Sequence, residues 1–244
     1  MNNQSKKKIE VIILAGGKGT RLAEKTSFNP KPLVKVGNKP VLWHIIQILQ
    51  ASNINNFLIA TGYKSKLISE YVNKETDFKK VNIKTHFTGK NSMTGFRILK
   101  LKDKIKNENF IVTYGDGVAN LNFKKIIDHH FKQKKIATMV IVRPPARWGF
   151  VKIRNDLIYS FEEKNQLNEG WINGGFFILN KKIFKYFRNK ENLVFEKDVL
   201  PKLAKDGELV AYKHKSFWQC MDTLKDNIML NKLWKKNKAP WKIW

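Results

Sequence analysis

The chain has 244 residues, of which 42% are hydrophobic and 12% aromatic, and its formal net charge is +27 at pH 7. This hydrophobic content excludes a disordered chain, and the length allows a substantial buried core. One cysteine, Cys220, excludes an internal disulfide and a zinc site built from several thiolates. Without a signal-peptide core or a run of 18 apolar residues, we expect a soluble, cytoplasmic protein with no membrane partner.

Lysine carries most of the positive charge, because only six of the 47 basic residues are arginine. Arginine is the residue suited to bidentate recognition of phosphates and bases, so a surplus of lysine is weak evidence for nucleic acid. We expect no nucleic-acid partner. The excess lysine is either a solvated surface or a field that also collects anionic nucleotides. A lysine-rich nucleic-acid-binding protein is the rival reading, and it predicts salt-dependent binding to unrelated duplexes.

Apolar runs and helical spacings alternate through the first half of the chain. Residues 9–15 (IEVIILA) are nearly all β-branched or aliphatic and predict a buried strand of a parallel sheet, which runs into a glycine-rich turn. The same alternation predicts helices near residues 41–52, 66–73 and 95–101, and strands near residues 55–63, 82–87 and 109–117. This order predicts an open, mostly parallel α/β sheet.

The second half of the chain has shorter strands. A helix follows residue 126, and residues 136–142 (IATMVIV) predict a strand that ends before a Pro-Pro turn. Further strands are predicted at residues 150–153, 158–161, 176–179 and 209–214, and helices at residues 181–188, 195–205 and the C-terminus. The short strands indicate an antiparallel addition. Without a linker or repeat, residues 1–244 are expected to form a single domain.

Residues 16–22 (GGKGTRL) follow the first predicted strand and place residues with small side chains where backbone N–H groups can converge on phosphate. The dinucleotide fingerprint is excluded because its third glycine would fall at Leu22, and no Gly-Lys-Ser/Thr completes a P-loop. A plain strand-to-helix turn is the alternative. Arg21 and Lys31, the second between two prolines, add cations that favour an anion site.

Two aspartates are candidate metal ligands. Asp116 follows an apolar strand in Gly-Asp-Gly, and the ends of parallel strands present residues to a ligand crevice. Mg²⁺ usually takes oxygen ligands from one or two carboxylates, completed by substrate phosphates and water. Gly-Asp-Gly is also ordinary turn sequence, and Asp222, in QCMDT, could equally be the N-cap of the last helix.

The stretch LAGGKGTRL, followed by PKPL, resembles the pyrophosphorylase signature of the sugar-1-phosphate nucleotidyltransferase family, whose loop wraps the nucleoside triphosphate. The resemblance implies the Rossmann-like, doubly wound, mostly parallel sheet of nucleotide-diphospho-sugar transferases, with a small antiparallel addition. It also implies that residues 1–125 mainly bind nucleotide and residues 126–244 mainly bind sugar. By the same likeness, Mg²⁺ is the expected cofactor, held by Asp116 and Asp222 in contexts that match the family's two metal-binding aspartates.

The resemblance also implies roles for individual residues. Residues 162–164 (EEK) and 171–175 (WINGG) are similar to the family's sugar-binding elements, although three adjacent charges alone would suggest a solvated turn. The implied nucleotide-binding residues are Leu14, Ala15, Gly16, Gly17, Lys18, Gly19, Thr20, Arg21, Lys31, Ser92, Arg97 and Gly115. The implied sugar-binding residues are Gly149, Glu163, Lys164 and Asn173, and the implied catalytic residues are Arg21, Lys31, Asp116 and Lys164.

Residues 91–95 (NSMTG), 217–223 (FWQCMDT) and 238–242 (KAPWK) look like the cytidylyltransferase branch of this family. The likeness implies CTP and glucose 1-phosphate as substrates, a homo-oligomer, and a role in making bacterial surface polysaccharides such as O-antigen. The family usually carries a longer insertion before Ser-Met-Thr-Gly than residues 81–89 provide. UTP, dTTP or another sugar 1-phosphate therefore remain alternatives, as does a homologue that binds a sugar nucleotide without turnover.

Overall fold

The computed structural model describes residues 9–144, 150–162 and 170–244. The strands, numbered in chain order, are β1 Glu10–Ala15, β2 Lys35–Val36, β3 Lys39–Pro40, β4 Asn56–Thr61, β5 Asn82–Phe87, β6 Asn109–Tyr114, β7 Gly117–Ala119, β8 Ala137–Val142, β9 Phe150–Arg154, β10 Leu157–Glu162, β11 Ile172–Asn180, β12 Leu209–His214 and β13 Trp218–Cys220. The α-helices are α1 Ala23–Thr26, α2 Val41–Gln50, α3 Ser65–Lys74, α4 Thr94–Lys100, α5 Phe123–Gln133, α6 Leu200–Lys205 and α7 Leu224–Lys235.

Seven strands form one mixed sheet in the order β12-β8-β11-β6-β1-β4-β5. Strand β1 pairs in parallel with β4 and β6, β4 pairs in parallel with β5, and β12 pairs in parallel with β8. Strand β11 runs antiparallel to both of its neighbours, β6 and β8. The predicted fold class, a mostly parallel α/β sheet with an antiparallel addition, is confirmed.

Strand β1 is buried on both faces, which explains its nearly continuous apolar sequence. Because side chains alternate along a strand, Val11, Ile13 and Ala15 join one core cluster, which also contains apolar residues of α2, α3, α5 and α7. Ile12 and Leu14 join the opposite cluster, which contains residues of α4 and α6. Helices therefore cover both faces of the sheet, as a doubly wound fold requires.

The carboxyl ends of β1, β4 and β6 lie at one edge of the sheet because these strands are parallel and in register. A backbone hydrogen bond of 3.0 Å from Gly115 N–H to the Leu14 carbonyl joins the segments that follow β1 and β6. Beyond this edge, β13 pairs antiparallel with β7, with Cys220 opposite Gly117. The edge thereby collects the segments in which the sequence predicts an anion and metal site.

Two segments that the sequence predicts as helices have a different helical geometry in the structure. Residues 181–188 were predicted as one helix, but the helical part is a 3₁₀ helix that ends at Tyr186. The segment predicted as helical over residues 195–205 begins with a π-helical turn, Phe195–Val199, before α6. Other 3₁₀ turns are Thr20–Leu22, Lys31–Leu33, Thr76–Phe78 and Lys102–Lys104. Among the described residues, no helix is long and apolar enough to cross a membrane.

The C-terminal segment packs back onto α2 through aromatic side chains. Trp241 is fully buried, and its ring stacks on Phe217 with centroids 5.4 Å apart. Its indole N–H donates to Nδ1 of His44 at 3.3 Å, while Nε2 of His44 contacts the Val36 carbonyl at 2.9 Å. Burial lowers the pKa of His44 to about 4, so the ring is neutral and donates from Nε2.

We expect Trp241→Ala to lower the free energy of unfolding by about 3–5 kcal/mol, because it removes a fully buried aromatic side chain. Trp244→Ala is the matched control, since Trp244 belongs to the same cluster but is 37% exposed; its expected loss is about 1 kcal/mol. Urea unfolding monitored by circular dichroism measures both. Equal losses would show that Trp241 does not anchor the C-terminal segment.

Candidate active site

The glycine-rich segment begins at the sheet edge, directly after β1. The Gly16 carbonyl accepts a hydrogen bond of 3.0 Å from Tyr63 N–H, which ties the segment to the end of β4. Gly19 has a φ of +67°, a left-handed conformation that glycine adopts without steric cost. The chain then enters the 3₁₀ turn that carries Arg21. The loop is therefore held by backbone contacts behind it.

A cavity of about 340 Å³ opens beside this loop. All of the residues predicted to bind nucleotide line it except Lys18, which is exposed. The lining residues are Leu14, Ala15, Gly16, Gly17, Gly19, Thr20, Arg21, Lys31, Pro32, Ser92, Met93, Thr94, Arg97, Tyr114, Gly115 and Asp116. The fold thus brings four separate chain segments around one space.

Arg97 lies beneath the glycine-rich loop and is 4% exposed. Its guanidinium donates to the carbonyls of Thr61, Gly89 and Gly16 at 2.9–3.0 Å and to the Thr88 hydroxyl at 2.8 Å. Burial lowers its pKa, which Glu191 partly opposes, but a guanidinium starts high enough to stay charged at neutral pH. All four acceptors are neutral, so the charge of Arg97 acts on whatever anion enters the cavity.

Gly16 and Gly62 make room for this buried arginine. A Cβ atom on Gly16 would lie 2.1 Å from a guanidinium nitrogen of Arg97, and one on Gly62 would lie 2.4 Å from it. Ser92 does not contact Arg97 through its hydroxyl, which donates to the Thr88 carbonyl at 2.7 Å. Ser92 therefore supports the same turn, residues 88–92, that supplies acceptors to Arg97.

Lys31 links the two candidate metal ligands. Its ammonium group lies 2.7 Å from a carboxylate oxygen of Asp116 and 2.5 Å from one of Asp222. Arg21, which is largely exposed, contacts the other oxygen of Asp222 at 2.8 Å. Pro30 and Pro32 flank Lys31 in a 3₁₀ turn and restrict its backbone. Four predicted site residues therefore form one cluster of charges.

The charges in this cluster stabilise one another. Burial alone would lower the pKa of Lys31, but Asp116 and Asp222 outweigh it, and the pKa lies above its ordinary value. Burial alone would raise the pKa of Asp222, but Lys31 and Arg21 hold it below its usual range. The Lys31 ammonium and the Asp222 carboxylate are therefore both charged at neutral pH.

Asp222 is not the N-cap of the last helix, and that alternative is wrong. Thr223 caps α7, since its side chain accepts from Asp226 N–H while the Asp226 carboxylate accepts from Thr223 N–H at 2.8 Å. This capping box also holds the backbone of Asp222, whose N–H donates to Asp226 at 3.1 Å. The carboxylate of Asp222 therefore takes no part in capping the helix and contacts Lys31 and Arg21.

Asp116, Asp222 and Cys220 each offer a ligand atom, and these atoms lie within 4.8 Å of one another. Both carboxylate side chains are about one fifth exposed, so phosphate and water oxygens have access to them. The thiol of Cys220 is a poor fit, because burial and the nearby aspartates raise its pKa and keep it protonated. The donor set therefore suits a hard divalent cation held by the two aspartates.

A second cavity, of about 450 Å³, adjoins the first. Asn173, the described member of the predicted sugar-binding residues, lines it; Gly149, Glu163 and Lys164 lie outside the described residues. Its lining comprises Arg21, Met93, Thr94, Thr113, Tyr114, Asp116, Gly117, Ile172, Asn173, Gly174, Gly175, Phe176, Val194, Glu196, Trp218, Cys220 and Asp222. Arg21 and Asp116 line both cavities, so the charge cluster lies where they meet.

Sequence reasoning missed several residues that line this second cavity. Tyr114 lies in the strand predicted over residues 109–117 and Thr94 lies in the NSMTG motif, so their positions next to predicted site residues were a usable signal. Glu196 has no such signal, because it lies in a segment predicted only as a helix. It reaches the cavity because the π-helical turn packs beside the start of α4, where Phe195 N–H donates to the Thr94 hydroxyl at 2.9 Å.

Comparisons with known proteins identify the family that this chain resembles along its length. The family model described as nucleotidyl transferase matches residues 10–235. A glucose-1-phosphate cytidylyltransferase from Salmonella typhimurium is 41% identical, and a probable one from Bacillus subtilis is 38% identical, each over 97% of this chain and 100% of the relative. The crystal structure of HddC from Yersinia pseudotuberculosis complexed with GMP-PN is 27% identical, with a TM-score of 0.75 over 93% of this chain and 99% of that chain.

We expect Gly16→Ala to lower the free energy of unfolding by about 1–3 kcal/mol, because the new methyl group displaces the buried Arg97 from its hydrogen bonds. Gly17→Ala is the matched control: a Cβ there meets no atom within 4 Å, and the expected change is within about 0.5 kcal/mol. Denaturant unfolding of both variants checks this. If Gly16→Ala were as stable as Gly17→Ala, the Arg97 side chain would be able to move away from the new methyl group without a loss of folding free energy.

Proposed function

Because the chain belongs to the nucleotidyl transferase family, we propose that it transfers a cytidylyl group from CTP to α-D-glucose 1-phosphate, giving CDP-glucose and pyrophosphate. The choice of base and sugar rests on similarity to glucose-1-phosphate cytidylyltransferases of 41% and 38% identity over 97% of this chain. The chemistry rests on one structural observation: two cavities meet at a cluster of Lys31, Asp116 and Asp222.

The proposed reaction is a direct displacement at phosphorus. A phosphate oxygen of glucose 1-phosphate attacks the α-phosphorus of CTP, a new P–O bond forms, and the bond to the bridging oxygen of the β-phosphate breaks. Pyrophosphate leaves with that oxygen. Cys220 is not a nucleophile in this scheme, because the attacking oxygen comes from glucose 1-phosphate. No covalent enzyme intermediate is needed.

In this proposal, CTP occupies the cavity beside the glycine-rich loop, with its phosphates against backbone N–H groups. Lys31 stays protonated and offsets charge near the α-phosphate. Arg21 is largely exposed, so it is free to follow the β- and γ-phosphates into the leaving position. The buried charge of Arg97 adds a fixed positive potential behind the loop. Catalysis is then positioning plus charge stabilisation.

Asp116 and Asp222 would hold Mg²⁺, which when bound neutralises phosphate charge. Both carboxylates also contact Lys31, so the lysine keeps them close together without repulsion. The position of Asp116 in both cavities supports this role, since a metal ligand there reaches the phosphates of either substrate.

Glucose 1-phosphate occupies the second cavity in this proposal. Asn173 meets the sugar hydroxyls, and by family resemblance Lys164 holds the acceptor phosphate, with Glu163 and Gly149 beside the sugar. The loop-side cavity is lined by residues up to position 116, whereas the second cavity adds residues 172–222. This distribution supports a division near residue 125 into a mainly nucleotide-binding half and a mainly sugar-binding half.

We expect the purified protein to release pyrophosphate from CTP with glucose 1-phosphate and Mg²⁺, and a chelator to abolish release until Mg²⁺ is restored. ATP, GTP, UTP and dTTP are offered separately in the same coupled assay. A preference for UTP or dTTP would agree with the proposed mechanism but would contradict CTP as the nucleotide substrate. No release with any of the five would contradict this choice of substrates.

We expect Asp116→Asn and Asp222→Asn each to lower kcat/KM by roughly a hundred- to thousandfold, because each removes one of the two carboxylates that would hold Mg²⁺ against the phosphates. Asp128→Asn is the control, since Asp128 is exposed on α5 and lines neither cavity. Steady-state pyrophosphate release measures all three variants. If either site variant retained more than about a tenth of the activity, that aspartate would not hold an essential metal.

A further inference from the structure

A chain of hydrogen bonds connects Asn173 to the π-helical turn across the second cavity. Glu196 accepts from two hydroxyl groups, that of Tyr114 on one carboxylate oxygen and that of Thr94 on the other, the second at 2.6 Å. Asn173 Nδ2 lies 3.5 Å from the Tyr114 hydroxyl oxygen. All four residues come from different elements, and all line the second cavity. Glu196 therefore joins α4, the end of β6 and the start of β11.

Tyr114 also supports the backbone that carries Asn173. The register between β11 and β8 shifts between Asn173 and Phe177, and a strand irregularity of this kind re-aims a side chain. Gly175 lies in this irregular stretch with a φ of +79°, and a Cβ there would be 2.7 Å from the Tyr114 ring. The ring is thus packed directly against the stretch, and its position helps determine the path of Asn173.

The donor and acceptor roles in this chain are determined by Glu196. A carboxylate only accepts, so the Tyr114 hydroxyl must donate to it and keeps a lone pair for Asn173 Nδ2. Asn173 Oδ1 accepts from Gly175 N–H at 2.8 Å, so both ends of the amide have assigned partners.

We propose that Glu196 is a positioning residue for the sugar substrate, which fixes the orientation of the Asn173 amide through Tyr114. The inference rests on the proposed function, because Asn173 is the residue that would meet the sugar hydroxyls. Glu196 lines the second cavity but not the cavity beside the glycine-rich loop. Its loss should therefore weaken binding of the sugar phosphate and leave binding of the nucleotide nearly unchanged.

The test is the steady-state KM for each substrate in Glu196→Ala, because Glu196 lines only the second cavity whereas Tyr114 lines both. We expect KM for glucose 1-phosphate to rise roughly tenfold, because a misoriented Asn173 amide loses about one hydrogen bond to the sugar, with KM for CTP and kcat within about twofold. Tyr114→Phe, which removes the hydroxyl and keeps the ring packing, should show the same rise in KM for glucose 1-phosphate. Glu196→Gln retains an oxygen that accepts from Tyr114, and we expect it to restore KM to within about threefold of the original.

Tyr186→Phe is the matched control, since the Tyr186 hydroxyl donates to Asp206 at 2.7 Å on the surface and lines neither cavity. It should leave both KM values unchanged. Equal rises in both KM values in Glu196→Ala, or a Tyr114→Phe enzyme with the original KM for the sugar phosphate, would overturn the positioning role. If the unsubstituted protein releases no pyrophosphate with any substrate pair, that result would instead contradict the proposed function and, with it, this role.

Discussion

The ammonium group of Lys31 lies 2.7 Å from Asp116 and 2.5 Å from Asp222, and the candidate site depends on this contact. Two carboxylates close together repel each other, and a lysine removed from water is stable in its charged form only with such partners. A different part of the fold positions each of the three residues. Asp116 follows a central strand, and Lys31 lies between two prolines. Asp222 is positioned by the pairing of β13 with β7 and by a hydrogen bond of 2.9 Å from Met221 N–H to the Asp116 carbonyl.

Buried cations, more than the large net charge, distinguish this site from the rest of the surface. The formal charge of +27 comes mostly from lysine, which is spread along the whole chain. Lys31 and Arg97 are 8% and 4% exposed, and both line the cavity beside the glycine-rich loop. A charge in a low-dielectric region acts more strongly on a nearby anion than a solvated one. The hydrogen-bond acceptors of Arg97 are neutral, so Arg97 contributes more to the field in the cavity than an exposed lysine does, whereas Asp116 and Asp222 offset the charge of Lys31.

Most strands and helices could be predicted because their signals are local. Strand β1 is a continuous apolar run, since both of its faces are covered, and α2 shows its helical spacing over ten residues. The π-helical turn at Phe195–Val199 could not be predicted, because its apolar spacing resembles that of an α-helix. The N-cap of α7 was ambiguous for a similar reason: Asp222 and Thr223 are both good capping residues, and only the contacts of Asp226 decide between them.

The sequence by itself determined the class of fold and the residues of the glycine-rich loop, Lys31 and the two aspartates, because these lie in short motifs with their own residue patterns. The tertiary structure alone decided which of them touch. Asp116 follows the parallel strand β6, the pairing of β13 with β7 brings Asp222 beside it, and Lys31 contacts both, a relation that no local pattern contains. The support of Arg97 by carbonyls of three separate segments, and the reach of Glu196 to Tyr114, are likewise contacts between distant residues. They depend on packing, and a single sequence does not record packing partners.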